Sequence, residues 1–261
     1  MAERDKILRY YRASGEEEIA TRLLDAAEAA IRNRKYKVSD FLDPFACSVA
    51  ETAATHYDRL ELVLEGGYQG AERLKAAFVS EDFKGEIDFA IEAIAVSWDK
   101  RYYQLSHRDV LGALMALGIK RETFGDIVMT AAGCQILVGQ AQTEYVLANL
   151  TQIGSATVSL SRIPLTEIVA REEKVKEIKT TAASLRLDVV AAAGFGVSRT
   201  KMAEDITAKK LKVNWQDAKS SSQAVKPGDI FSMRGRGRVE FCEVLGQTKK
   251  GRISIVLKRF Y

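Results

Sequence analysis

Between Ile87 and Ile163 the hydrophobic pattern switches repeatedly between the two-residue period of strands and the 3.6-residue period of helices. This alternation constrains the fold more than any other feature of the chain. Strand-like runs are predicted at Ile87–Trp98, Asp126–Thr130, Cys134–Val138 and Ala156–Ile163, the last ending before Pro164. Helices are predicted at Ser106–Leu117 and Gln140–Leu150. Ser106 followed three residues later by Asp109 signals a helix start, and Gly118 a stop.

The resulting order, β-α-β-β-α-β, is that of a ferredoxin-like lobe and also of RNA-recognition motifs. Ahead of it, Glu16–Ala30 carries an apolar stripe at helical spacing. A second helix is expected after Asp43, with Pro44 in its first turn, running to about Thr55. Arg59–Glu65 and Arg73–Val79 flank a Gly66–Gly70 turn and read as a hairpin. The stretch after Leu165 is rich in charge and Thr and has no apolar period. The chain is therefore read as α+β, with an N-terminal helical and hairpin lobe (1–82), a ferredoxin-like lobe (83–165), a linker (166–184) and a C-terminal module (185–261).

Charge separates the last part from the rest. Residues 171–261 hold 20 Lys and Arg against 10 Asp and Glu, a net of +10. That leaves 19 of the chain's 39 basic and 25 of its 35 acidic residues to the first 170, a net of −6. A basic module on an acidic body points to a polyanionic partner, nucleic acid before membrane. The polar N-terminus has no apolar signal core, and the nearly apolar run Val189–Val197 is too short to span a bilayer. A soluble, cytoplasmic chain without membrane insertion is expected. Cys47, Cys134 and Cys242 are scattered, and His56 and His107 lie far apart, so no metal site is expected and the thiols read as reduced and mostly buried.

Inside the basic module, "RLDVVAAAGFGVSRTKMAEDITAKKLKVN" (Arg186–Asn214) reads as a short apolar helix, a Gly-Phe-Gly break, a second helix and a strand. Ser198 is the expected N-cap of the second helix, which runs to about Lys209 with Met202 and Ile206 facing inward. Arg199 and Lys201 stand in its first turn, where the helix dipole disfavours each exposed cation by about 0.3–1 kcal/mol. A bound phosphate would make sense of them, and reversing both charges is then expected to favour the free fold slightly. Lys210, Lys212 and Asn214 alternate with Leu211, Val213 and Trp215, giving a strand with one cationic face. Arg234, Arg236 and Arg238 follow a Pro227-Gly228 turn at period two, which predicts three guanidiniums on one face of a strand or extended loop.

These residues resemble the S-four (αL) RNA-binding domain, through Arg186-Leu187-Asp188, Ser198-Arg199, Val213-Asn214 and Lys226-Pro227-Gly228-Asp229. Two departures are Lys210, where many members carry Gly, and Trp215, where Gly often follows Asn. The body adds "FLDP" (41–44), "GGYQGAER" (66–73) and "HRDVLGALMALGIKRETFGDI" (107–127), which with "RGRGR" (234–238) resemble the YlmH family of bacterial and plastid S-four proteins. The resemblance implies a non-catalytic protein of the large ribosomal subunit that binds ribosomal RNA or tRNA, in some members during quality control of stalled nascent chains. Relatives in cyanobacteria and plants carry a photosystem II label, which implies an alternative role in photosystem assembly. RNA-modifying enzymes that carry S-four modules give a second alternative. The expected RNA contacts are Arg186, Ser198, Arg199, Thr200, Lys201, Lys209, Lys210, Lys212, Asn214, Arg234, Arg236 and Arg238.

No catalytic group or cofactor is expected. His107 and Asp109 read as parts of a helix start rather than an acid–base pair, and "GGYQG" lacks the Lys of a phosphate loop. The ferredoxin-like lobe also lacks the aromatic signature of classical RNA-recognition motifs. Phe89 is its lone candidate on the first strand, and Cys134–Val138 holds no aromatic. Lys120 with Arg121, and Tyr102 and Tyr103 beside Lys100 and Arg101, are open as RNA contacts or as structural residues.

Overall fold

The computed structural model describes residues 2–14, 16–169, 175–233, 235–249 and 251–260. The chain divides into two compact units, Met1–Arg171 and Glu172–Tyr261.

The first unit opens with α1 (Ala2–Ser14), α2 (Glu17–Asn33), β1 (Tyr36–Leu42), α3 (Pro44–Ala54), β2 (Leu60–Glu65) and β3 (Leu74–Ser80). Asp43 caps α3 by accepting a hydrogen bond from the Ala46 N–H at 2.8 Å, with Pro44 in the first turn. The strands form an antiparallel sheet in the order β1-β3-β2. Neither α1 nor β1 is predicted from the sequence pattern. β1 joins the predicted hairpin by pairing with β3, and α1 contributes Ile7 and Tyr11 to the lobe's core.

The ferredoxin-like lobe follows as β4 (Ile91–Ser97), α4 (His107–Ala116), β5 (Phe124–Met129), β6 (Gly133–Gly139), α5 (Gln140–Asn149), the short pair β7 (Gln152–Ile153) and β8 (Ala156–Thr157), and β9 (Ser159–Ile163). Its sheet order is β5-β6-β4-β9. The α4 start is a full capping box: the Asp109 N–H donates to Ser106 Oγ, and the Ser106 N–H donates to Asp109 Oδ2 at 2.8 Å. The first strand begins at Ile91 rather than Ile87. Ala90 has a left-handed backbone (φ 48°), and the Lys75 ammonium binds the carbonyls of Phe89 and Ala90 at 2.9 and 3.1 Å. Phe89 therefore precedes the strand.

One face of this sheet packs α4 and α5 through Ile94, Ile136, Val138, Val110 and Leu114. The other face is covered as well. Phe41 of β1 is buried against Ala93, Val128 and Leu137, with Tyr68, Leu165 and Ile168 packed around them. Gly125 permits this approach, since a Cβ there would lie 2.7 Å from the Phe41 ring. The predicted linker 166–184 needs correction for this reason. Ile168 packs on the sheet, and Gln135 holds the segment by donating to the Glu167 carbonyl and accepting from the Val169 N–H.

The second unit contains β10 (Val175–Ala182), α6 (Leu187–Phe195), α7 (Arg199–Thr207), β11 (Leu211–Val213), β12 (Gln216–Asp217), β13 (Ile230–Met233), β14 (Gly237–Gln247) and β15 (Ile253–Phe260). They build one antiparallel sheet in the order β10-β15-β14-β13-β11-β12, whose inner face buries α6 and α7. β10 lies within the predicted linker; its eight residues pair in register with β15. The Gly-Phe-Gly break has a physical cause at each glycine. A Cβ at Gly194 would meet Val239 at 2.5 Å, and Gly196 ends α6 in the left-handed region. Arg259 donates to the Phe195 carbonyl at this helix end.

Among the described residues, no helix is long and apolar enough to cross a membrane, and no group of three His, Cys, Asp or Glu could hold a metal ion. Burial pushes the Cys47 thiol up to about 11 and that of Cys134 to about 12.

Candidate nucleic-acid interface

The cations at the start of α7 are held from beneath by carboxylates. Asp188, in the first turn of α6, is 3% exposed. It accepts hydrogen bonds from Arg186 Nε and Nη2 (both 3.1 Å) and from Arg199 Nε (2.9 Å). Burial pushes its pKa up, but the hydrogen bonds from Arg186 and Arg199 outweigh this and hold it below the ordinary aspartate value. Asp205, near the end of α7, is 4% exposed and plays the same part for two lysines. Lys201 Nζ lies 3.3 Å and Lys210 Nζ 3.4 Å from its Oδ1. The side chains of Arg199, Lys201 and Lys210 remain about half exposed. Two buried carboxylates thus each fix two cations whose outer atoms face solvent. Their pairing also offsets the unfavourable dipole interaction of Arg199 and Lys201.

Ser198 caps α7, its Oγ accepting from the Lys201 N–H at 3.1 Å. Thr200 is exposed in the same turn. The helix stops at Thr207, and Lys209 and Lys210 bond back to the carbonyls of Ile206 and Asp205 in a Schellman arrangement. The left-handed residue in this motif is Lys209 (φ 54°), one position before the Lys210 departure noted in the sequence. Lys212 points out of β11 between buried Leu211 and Val213.

Asn214 and Trp215 do not continue that strand. Both are left-handed (φ 49° and 64°) and form the two-residue turn into β12. Asn214 donates to Asp229 at 2.9 Å and accepts from the Ile230 N–H at 2.9 Å, so its amide ties this turn to the Lys226–Asp229 turn.

The arginine triplet also needs correction. Met233 pairs with Gly237, and the Arg236 N–H bonds to the Met233 carbonyl, so Arg236 lies in a tight hairpin turn instead of on a strand face. Left-handed glycines at 235 and 237 reverse the chain there. Arg238 is on β14, its guanidinium 5.4 Å from the Phe260 ring centre. Arg234 lies outside the described residues. Cross-strand register sets Lys212, Ser232, Arg238 and Phe260 in one row across the sheet.

Sequence reasoning identified the cations but missed Asp188 and Asp205 as the groups that order them. The spacing of Asp205 four residues after Lys201 was the available signal.

Comparison with known proteins places this geometry in a family. Residues 15–83 match the family model "YlmH, N-terminal", residues 85–167 match "Putative RNA-binding domain in YlmH", and residues 185–231 match "S4 domain". A Bacillus subtilis (strain 168) protein named "Ribosome-associated protein quality control protein P2" is 36% identical over 226 residues, covering 86% of this chain and 88% of that protein. The chain belongs to the YlmH family. A solved structure titled "Cell division protein ylmH from Streptococcus pneumoniae" shares the fold. It has a TM-score of 0.52 at 23% identity and covers 59% of this chain and 94% of that one.

The YlmH motifs of the first unit converge at the junction of its two lobes. Asp126 accepts from the Tyr68 hydroxyl (2.8 Å) and from the N–H groups of Glu72 (2.7 Å) and Arg73 (3.1 Å). Arg73 in turn donates to the carbonyls of Phe41 and Phe124. Arg121 donates to the carbonyls of Phe124 and Gly125, and burial, then the neighbouring Arg73, push its pKa down to about 10. Arg121 is therefore a structural residue of this junction, while Lys120 is exposed. His107 begins α4 within the capping box, which assigns that segment to helix initiation.

Proposed function

We propose that this chain binds structured ribosomal RNA or tRNA on the large ribosomal subunit, without catalysis, in the quality control of stalled nascent chains. The observation that carries this reading is the pair of buried carboxylates, Asp188 and Asp205. They set Arg186, Arg199, Lys201 and Lys210 in place with their outer atoms in solvent. Fixed cations lose little side-chain entropy when a phosphate arrives, and bidentate-capable guanidiniums suit phosphate oxygens. Lys212, Lys209, Thr200, Ser198, Arg236 and Arg238 extend the surface. Arg234 and Asn214 complete the proposed set, Asn214 acting by holding the turn. The S-four match and the name of the Bacillus subtilis relative support the ribosomal setting.

The test is a salt titration of RNA binding by the full chain, paired with co-sedimentation with large subunits. Log affinity is expected to fall linearly with log salt. Replacing Lys201 and Lys212 with Ala should reduce that slope by about 0.7–0.9 per lost phosphate contact. A slope unchanged by both substitutions, or a flat salt response in the unsubstituted chain, refutes the interface.

A further inference from the structure

Lobes with the β-α-β-β-α-β order bind RNA by stacking bases on the exposed face of the sheet. In this chain that face is buried under Phe41, Tyr68, Leu165 and Ile168. A nucleic-acid contact from this lobe must therefore come from an edge, a loop or the outer face of a helix.

The loop that follows β4 is built for one. The Asp99 carboxylate accepts from the Arg101 N–H (3.0 Å) and from its guanidinium (3.0 and 2.6 Å). The Asp99 carbonyl accepts from the N–H groups of Tyr102 and Tyr103. Trp98 donates its indole N–H to the Tyr103 carbonyl, and Lys100 crosses to the Thr130 carbonyl at 2.6 Å. These bonds separate the two tyrosines. Tyr103 packs against the lobe's core, whereas Tyr102 is 75% exposed, with the Arg101 guanidinium 5.5 Å from its ring centre. A large aromatic is thus presented to solvent from a loop whose backbone is already ordered, so little entropy is lost when a partner stacks on it. The surrounding charge favours a polyanion. Residues 98–109 carry Lys100, Arg101 and Arg108 against Asp99 and Asp109, a net of +1 in a body whose first 170 residues total −6.

We infer that Tyr102, flanked by Arg101, is a base-stacking contact for an unpaired RNA nucleotide, separate from the phosphate contacts of the second unit. The inference rests on the reading that the chain binds RNA. Stacking on an aromatic accepts any base, and neighbouring arginine adds a cation–π contribution.

The test measures binding of the full chain to a labelled 20-nucleotide poly(A) strand and to a fully paired RNA duplex of equal length. Tyr102→Ala should weaken poly(A) binding by about 5- to 150-fold and leave duplex binding unchanged. The salt slope should stay constant, because no phosphate contact is lost. Tyr102→Phe should bind like the parent. Tyr102→Leu, which keeps bulk without a π face, should behave like alanine and carries the test if the alanine variant does not fold. Parental poly(A) affinity in folded Tyr102→Ala or Tyr102→Leu overturns the inference and leaves the exposed ring to a protein partner. A reduced salt slope in either variant overturns stacking in favour of a phosphate contact. If the parent chain binds neither RNA, the RNA reading itself fails, together with everything built on it.

Discussion

Arg199→Glu tests whether the dipole or the buried carboxylate governs the start of α7. By the dipole alone, the substitution stabilises, by about 0.3–1 kcal/mol for each unit of charge changed at an exposed site. The structure reverses that sign. Arg199 Nε is 2.9 Å from Asp188, which is 3% exposed. Losing a hydrogen bond to a charged group costs about 1.5–3 kcal/mol, and removing one partner of a fully buried pair about 3–5. Here Asp188 keeps both bonds from Arg186, and the Arg199 side chain is 58% exposed, so solvent screens part of the loss. With the new glutamate facing a buried carboxylate, a loss of about 2–3 kcal/mol remains, set against roughly 1 regained from the dipole. The expected net is a destabilisation of about 1–2 kcal/mol, which lowers the melting temperature of a domain this size by roughly 5–10 °C. Thermal unfolding of the parent, Arg199→Gln and Arg199→Glu chains should rank them in that order of falling stability. An Arg199→Glu chain that melts at or above the parent temperature would show that the dipole dominates and that the Asp188 pairing contributes nothing.

The same carboxylate sets an acid limit. Its folded pKa lies below the unfolded value of about 3.9, so its contribution is present above that pH and drains away as pH falls through the folded value. The stability gap between the parent and Asp188→Asn should therefore narrow below about pH 4 in denaturant titrations, and a gap independent of pH would refute the pairing. Asp126→Ala removes the acceptor of three donors at the lobe junction and should destabilise the first unit by about 2–3 kcal/mol in urea unfolding, against about 1 for Tyr68→Phe. Lys209→Gly should stabilise the second unit by about 0.5–1 kcal/mol, because Lys209 is left-handed at φ 54°, while RNA binding loses about 0.7–0.9 of salt slope. Stability and affinity moving together in that variant would contradict the assignment.

What the sequence disclosed and what it hid divide by distance along the chain. The capping box of Ser106 and Asp109 and the cap at Ser198 span three residues, so their chemistry is written in local spacing. The strand and helix order of the ferredoxin-like lobe was legible for the same reason. β10 was not, because its Val175–Ala182 residues are mostly polar and only one of them is buried, and it is a strand through its backbone pairing with β15. Asp126 meets Tyr68 across 58 residues, which no periodicity announces. The arginine run 234–238 alternates like a strand, yet left-handed Gly235 and Gly237 put Arg236 in a turn. The puzzle at α7 belongs with these. Asp188 reaches Arg199 across 11 residues and a helix break, so the sequence displays cations against a dipole and conceals their counter-charge. Four cations meet three carboxylates at this surface, Arg186 and Arg199 on Asp188, Lys201 and Lys210 on Asp205, and Lys201 also on the exposed Glu204. The balance is still one positive charge in excess. Pairing relieves the repulsion within the free protein without neutralising the surface, and it fixes the direction in which each cation points. An incoming phosphate then meets both a positive potential and donors already in position, which is the condition under which charge converts into affinity.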